Sequence, residues 1–298
     1  MPDYGRPLEF GISLVPEAAA YPDIVELTRE ADRLGLDLLG VQDHPYQRRF
    51  LDTMSLLPAL AAYTERLRVF PDVANLPLRH PAMLAKAAAS VDVMSGGRFE
   101  LGLGAGAFWE AIAAMGGPTR TPGEALGALA EAVEILRLMW TAEGGVRCEG
   151  EYYAVRGAKP GPAPAHDIGI WLGVYGPRAL ALLGRVGDGW VPSLGRVTPA
   201  ELASRHEVID AAALEAGRDP AAIRRLVNFG GALGMGEAEA APDSTQAWVD
   251  RLTQMALHRG FDSFIFWPDG DRVAQVRGFA AAAPAVRAAV SAARAGTA

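Results

Sequence analysis

Histidine 44, set between Asp43 and Pro45, is the residue best suited to chemistry in this 298-residue chain. An imidazole exchanges a proton near neutral pH, so it can donate that proton or polarise an acceptor. The neighbouring carboxylate can orient the ring or hold a polar ligand group; an ordinary solvated turn aspartate is the competing reading for Asp43, and both stay open. His80, in Arg79-His80-Pro81, reads as a helix-entry residue, and His166, His206 and His258 read as surface residues.

Two glycine-bearing stretches come next. Gly102-Leu103-Gly104-Ala105-Gly106 lets a backbone approach a ligand, although glycines also mark any tight strand-to-helix turn. It is not the dinucleotide fingerprint, whose third glycine would fall at Ala107. In Gly173-Val174-Tyr175-Gly176-Pro177-Arg178, a flexible residue precedes a proline-started helix. Free amides and the positive helix end there suit an anion such as phosphate, with Arg178 adding charge, and an ordinary helix start is the equal alternative. Metal chemistry is disfavoured, because there is no His-x-His, no His-Glu-x-x-His and a single cysteine. No Gly-x-Ser-x-Gly elbow supports a hydrolase.

These residues need a scaffold, and the hydrophobic pattern supplies one. Apolar runs alternate with helical spacing: strands at Leu8 to Leu14, Asp37 to Gln42, Leu67 to Ala74 (interrupted by Pro71), Arg98 to Leu103, Ile168 to Val174, Asp188 to Val191, Arg225 to Leu233 and Phe261 to Trp267. Helices lie between them at Tyr21 to Leu34, Ser55 to Thr64, Ala82 to Met94, Thr121 to Trp140, Pro177 to Val186, Pro199 to Ala216, Thr245 to His258 and Asp271 to Arg294. Gly145 to Val155 reads as an inserted β-hairpin and Gly234 to Asp243 as an exposed loop. Eight strand–helix units without a linker predict one (β/α)8 TIM barrel over residues 1–298. An open doubly wound sheet would want glycines after the first strand, where Ser13-Leu14-Val15-Pro16-Glu17 has none.

A barrel places its site at the C-terminal ends of its strands. Asp43-His44, Asp72-Val73-Ala74-Asn75, Gly104-Ala105-Gly106 and Gly173 to Arg178 all fall there, and this location favours a functional His44. Phe108, Trp109 and Trp267 are candidates for an apolar substrate wall or for plain core packing.

Composition bounds the rest. Half the residues are hydrophobic and 21% charged, as in a folded globular protein. Lys and Arg number 28 against 35 Asp and Glu, so 28 − 35 gives −7, which argues against a nucleic-acid partner. Cys148 stands alone and forms no internal disulfide, which suits a reducing compartment. No run approaches the roughly 18 apolar residues of a membrane span, and the first residues show no signal peptide, so the expectation is a cytoplasmic protein acting on a small molecule.

Taken together, Gln42-Asp43-His44-Pro45, Leu78-Arg79-His80-Pro81, Ser95-Gly96-Gly97-Arg98-Phe99, Leu101 to Gly106, Gly176-Pro177-Arg178-Ala179-Leu180 and Gly187-Asp188-Gly189-Trp190 resemble the bacterial luciferase-like family. The similarity runs from about Phe10 to Trp267. It implies a (β/α)8 barrel binding coenzyme F420 or FMN, in a family of flavin monooxygenases and deazaflavin-dependent dehydrogenases and reductases. It also implies a cofactor ring across the strand ends, contacted by Asp43, Asp72, Val73, Ala74, Asn75, Gly104, Ala105, Gly106, Gly173 and Tyr175, with its phosphate at Gly176, Pro177 and Arg178. His44 would sit near the reacting ring carbon, and a non-proline cis peptide would fall near Asp72–Val73. A homodimer is implied as well.

Two departures matter. Several deazaflavin-dependent members carry a glutamate where this chain has Ala107, with Glu110 three residues on reading as a helix-surface residue. The tryptophan found shortly after the histidine is replaced by Pro45-Tyr46-Gln47-Arg48-Arg49. Both point away from sugar-phosphate and simple alcohol oxidation. The leading expectation is an F420-dependent reductase of C=C or C=N bonds with His44 as proton donor or polariser. An FMN-dependent monooxygenase is the alternative, and a non-catalytic partner subunit the third reading. Residues 46–53, 109–120 and 234–243 would set the substrate.

Overall fold

In the computed structural model, which describes residues 3–230, 242 and 244–297, strands and helices alternate from β1 (Glu9–Leu14) onward. Next come α1 (Tyr21–Arg33), β2 (Leu38–Val41), α2 (Thr53–Ala62), β3 (Arg68–Pro71), β4 (Ala74–Asn75) and α3 (Pro81–Ser95). The middle of the chain forms β5 (Leu101–Gly104), α4 (Trp109–Ala114), α5 (Pro122–Thr141), the antiparallel pair β6 (Val146–Glu149) and β7 (Ala154–Ala158), and β8 (Ile170–Leu172). Then follow α6 (Pro177–Val186), β9 (Gly189–Trp190), α7 (Pro199–Glu215), β10 (Arg224–Phe229), α8 (Thr245–Arg259), β11 (Ser263–Phe266) and α9 (Arg272–Thr297). Most residues of the expected loop at 234–243 lie outside the described residues.

The parallel sheet runs β3-β2-β1-β11-β10-β9-β8-β5-β4. Strand three of the sequence reading is divided. Its first half, β3, pairs with β2, while β4 pairs with β5 through Ala74 opposite Leu103 and Asn75 opposite Gly104. Nine strands therefore fill eight positions and the sheet closes as a TIM barrel. The break falls at Asp72–Val73, whose peptide bond is cis. Strand four starts later than expected because Arg98 is held in the preceding loop, its guanidinium donating to the carbonyls of Ser95, Leu67 and Ala61.

Local signals set the helix ends. Thr121 and Glu124 form the capping box expected at α5, with Pro122 at its first position. Asp52 caps α2 by accepting from the Ser55 amide. Gly96 and Gly260 close α3 and α8 in the left-handed conformation.

Alternation along the strands sorts side chains between two cores. Phe10, Ile12, Leu39, Val41, Val69 and Leu103 belong to the larger core, together with buried residues of the helices. Leu38, Phe70, Trp171, Val191, Leu226 and Ile265 form a separate cluster, joined by Val73. Two residues earlier on the same strands the side chains are ionic: Arg68 reaches Glu9 and Glu100 at 2.6 and 2.7 Å, and Arg224 reaches Glu9 at 2.8 Å and Asp262 at 3.2 Å. Two residues later they are small or polar, with Ser13, Gly40, Asp72 and Asn228 facing the strand ends. His206 corrects the surface reading. It is fully buried on α7, packed edge-on to Trp190 at 5.2 Å, because its Nε2 reaches the Arg259 carbonyl at 3.1 Å and satisfies a buried polar atom. His258 is exposed, and His166 is partly buried, bonded to Asp92 at 2.7 Å.

Candidate active site

A cavity of about 690 Å³ opens at the C-terminal ends of the strands. Its wall contains His44, Asp43, the Asp72–Asn75 segment, Gly104 to Gly106, Gly173, Tyr175 and Gly176, so the fold gathers nearly all the residues singled out from sequence. Pro177 and Arg178 are the exceptions. Both are exposed and neither lines the wall; Ala179 and, from the loop after β9, Arg196 stand there instead. Phe108, Trp109 and Trp267 all line the cavity.

Asp43 is not a solvated turn residue. It is 3% exposed, takes both arms of the Arg79 guanidinium at 2.7 Å, and accepts the Asn75 backbone amide at 2.8 Å. Arg79 continues to Asp52 at 2.6 Å. One cation thus ties the loop after β2, the cap of α2 and the second half of strand three. Burial works to lower the Arg79 pKa, but its two carboxylate partners win and hold it above the ordinary value. With its oxygens occupied, Asp43 fixes the position of His44 and Asn75 more than it offers contacts to a ligand.

His44 is half-buried, and its Nδ1 is in close hydrogen-bond contact with the Tyr46 hydroxyl. Burial lowers its pKa, Asp43 opposes that, and Arg196 adds to the lowering, so the neutral ring is favoured over the charged one. Phe108 stands edge-on to it at 5.3 Å.

Asp72 is 8% exposed and its Oδ1 accepts from Asn228 at 3.0 Å, while Asn228 accepts from the Trp267 indole at 2.8 Å. Burial raises Asp72 to about 6 against the bond from Asn228 and the adjacent Ser13 hydroxyl. Asp72 Oδ2 and Asn75 Oδ1 are buried at this wall without a hydrogen-bond partner.

The glycines serve the bulge as much as any ligand. A Cβ on Gly102 would fall 2.1 Å from the Pro71 carbonyl, and one on Gly104 or Gly173 would meet Val73 Cγ2 at 2.7 or 3.1 Å. Bare backbone on the two neighbouring strands therefore receives the Val73 side chain. Gly176, at the N-terminus of the ten-residue α6, lines the cavity and has no side-chain cap, so the positive end of the helix approaches the wall there.

Sequence reasoning missed Arg196 and Asn228, and took Tyr46 as a departure and the start of a substrate-setting loop, not as a partner of His44. Asn228 was within reach, since a polar residue near the end of a buried strand is a site signal in a barrel. Arg196 lies in a loop with no pattern to read. His80 caps α3 through the Ala82 amide, as a helix-entry residue should, and Glu110 is exposed off the wall. A groove of about 770 Å³ between α5 and α6 lies on the outer surface, away from the strand ends.

The luciferase-like monooxygenase family matches residues 7–296. The chain belongs to that family. Among curated relatives, this luciferase-like chain is 33% identical over 213 residues to a 5,10-methylenetetrahydromethanopterin reductase of Archaeoglobus fulgidus, covering 71% of the chain and 60% of the relative. It is 31% identical over 201 residues to an F420-dependent glucose-6-phosphate dehydrogenase of Kineococcus radiotolerans, covering 65% and 58%. The chain thus spans less than two thirds of the length of these relatives. Of solved structures, an F420-dependent secondary alcohol dehydrogenase in complex with an F420-acetone adduct superposes with a TM-score of 0.84 at 17% identity, covering 94% of this chain and 99% of that one. A monooxygenase from Streptomyces bottropensis gives 0.81 at 19% identity, covering 92% and 98%. These likenesses establish the shared luciferase-like barrel. No helix among the described residues is long and apolar enough to cross a membrane.

Proposed function

We propose that this luciferase-like protein is a coenzyme F420-dependent oxidoreductase that reduces a C=C or C=N bond of an organic substrate. The observation that carries the reading is His44 at the cavity wall, with Nδ1 held by Tyr46, no partner on Nε2 among the described residues, and the neutral ring favoured by burial.

The residues present fit a phosphate-bearing deazaflavin. The cavity volume lies within the roughly 300–1,000 Å³ of small-molecule sites. The orphan oxygens of Asn75 and Asp72 leave hydrogen-bonding capacity for polar ring edges. Gly176, at the uncapped start of α6, and Arg196 suit the phosphate. The bound cofactor would supply the hydride. His44 would donate a hydrogen bond or proton to the acceptor atom, Asp43 and Arg79 would hold its loop, and Tyr46, Phe108 and Trp109 would give a planar substrate an apolar wall that excludes water. Reduction is favoured over alcohol oxidation because Ala107 stands where several deazaflavin-dependent members carry a glutamate, Glu110 is exposed off the wall, and Asp43, beside His44 in the chain, already accepts from Arg79 and the Asn75 amide.

The test is parallel fluorescence titration of the purified protein with F420 and with FMN, followed by a screen of unsaturated and imine substrates. Tight F420 binding and weak FMN binding support the proposal. Preferential FMN binding overturns it in favour of the monooxygenase, and binding of neither favours a non-catalytic partner subunit.

We also propose that the protein is a cytoplasmic homodimer. Met83, Val93 and Met94 on α3, with Tyr63 beyond α2, are exposed apolar side chains that suit contact with a second copy. Sedimentation equilibrium showing only monomer at micromolar concentration would refute the dimer.

A further inference from the structure

We propose that Tyr46 is the positioning residue that fixes the His44 tautomer, so that the ring presents Nε2–H, a hydrogen-bond donor, to the cavity. The inference deepens the function proposed above and rests on it for the role of His44.

Imidazole has two ring nitrogens, and which of them carries the proton follows from what the other one bonds. Nδ1 contacts the Tyr46 hydroxyl, and Nε2 has no partner among the described residues. The phenol has no acceptor other than this nitrogen among the described residues. If Nδ1 carried the proton, the Tyr46 hydroxyl hydrogen would lack an acceptor among the described residues. With the phenol donating, Nδ1 and the hydroxyl are both satisfied, and the ring proton stands on Nε2. Burial pushes Tyr46 up to about 12, so the phenol keeps its proton throughout the neutral range.

The pair is also mechanically braced. Tyr46 and His44 have ring centroids 5.4 Å apart, and Phe108 contacts both, at 5.3 Å from His44 and 5.9 Å from Tyr46. Three rings on two loops thus limit rotation of the imidazole, which a donor aimed at a reacting atom requires. Asp43 holds the loop through Arg79 and the Asn75 amide but makes no hydrogen bond to the His44 ring, so the tautomer is set by Tyr46.

The chemical consequence is direction-specific. An Nε2–H donor recognises an acceptor atom, such as an imine nitrogen or a carbonyl oxygen conjugated to a C=C bond, and places it beside the donor. An alcohol would need the opposite tautomer, with Nε2 free to accept its proton.

The test uses the whole protein without cofactor, labelled with 15N in its histidine rings. Long-range proton–nitrogen NMR at pH 7 reads the tautomer, and the His44→Ala spectrum assigns the signals. The expected result is an Nε2–H tautomer in the parent protein, with Nδ1 resonating as an unprotonated acceptor. In Tyr46→Phe, which keeps the ring and its packing, the two nitrogens should converge as both tautomers become populated. An Nδ1–H tautomer in the parent protein, or an unchanged fixed tautomer in Tyr46→Phe, would overturn the proposal. The parent spectrum decides even if the variant folds poorly. The readout needs no F420, so failure of the protein to bind F420 would refute the functional reading separately.

Discussion

Replacing Arg79 with Met tests whether the site is held by one buried cation. The Asp43 side chain is 1% exposed and the Arg79 side chain 15%, so Arg79→Met leaves a desolvated carboxylate whose remaining donor is the Asn75 amide. Removing one member of such a buried pair costs about 3–5 kcal/mol, most of it from the stranded charge. The contact to Asp52 adds little, since that side chain is 42% exposed. Asp43→Asn/Arg79→Met removes the stranded charge as well, so most of the loss should be recovered. Urea unfolding of the parent, both single variants and the double variant at pH 7 measures this. A loss below about 1 kcal/mol in Arg79→Met, as for an exposed pair, would refute the reasoning, as would a double variant no more stable than Arg79→Met. F420 affinity should fall in the single variant, because the same cation holds the loop of His44 and, through Asp43, the amide of Asn75.

Three further outcomes are expected. His44→Ala should lower kcat by about 10²–10⁴ with F420 affinity nearly unchanged, and equal turnover would remove His44 from the reaction. Gly102→Ala places a methyl group against the Pro71 carbonyl at 2.1 Å, so it should lose at least about 1–3 kcal/mol by thermal melting and weaken F420 binding; an unchanged melt would contradict the tight bulge. His206 has its pKa lowered to about 3, by burial first and then by Arg225, so the unfolded chain protonates before the folded one. Its contribution is complete above about pH 6.5 and falls by about 1.4 kcal/mol per pH unit below that, levelling near pH 3. His206→Gln should flatten this acid slope in melts between pH 6 and pH 4.

The barrel was legible because its signals are local. Apolar runs, proline-started helices and the Thr121–Glu124 capping box each need only a short window of sequence, and together they fixed eight units in order. The location of His44, Asn75 and Gly104 followed from the rule that strand ends make the site. What the sequence hid depends on long-range pairing. Nothing near Asp43 announces that Arg79, 36 residues on, will consume its oxygens. His206 looked like a surface residue because its partners, Trp190 and the Arg259 carbonyl, come from other elements. The glycines of β5 were read as room for a ligand, and part of that room belongs to Val73, which only the folded register brings alongside.

The divided third strand has a mechanical consequence. β4 joins β5 through only two residue pairs, with Val69 opposite Phe99 as a separate link below; β9 is held by two pairs on each side as well, but only the third strand is divided. The barrel therefore has a seam, and that seam opens onto the cavity. Strain from an arriving ring would be absorbed there first, leaving the β1–β2 and β10–β11 ladders intact. In amide exchange, the backbone of Ala74 and Asn75 should gain protection on ligation while the β1–β2 and β10–β11 ladders change little, so that the ligand completes the wall of the barrel.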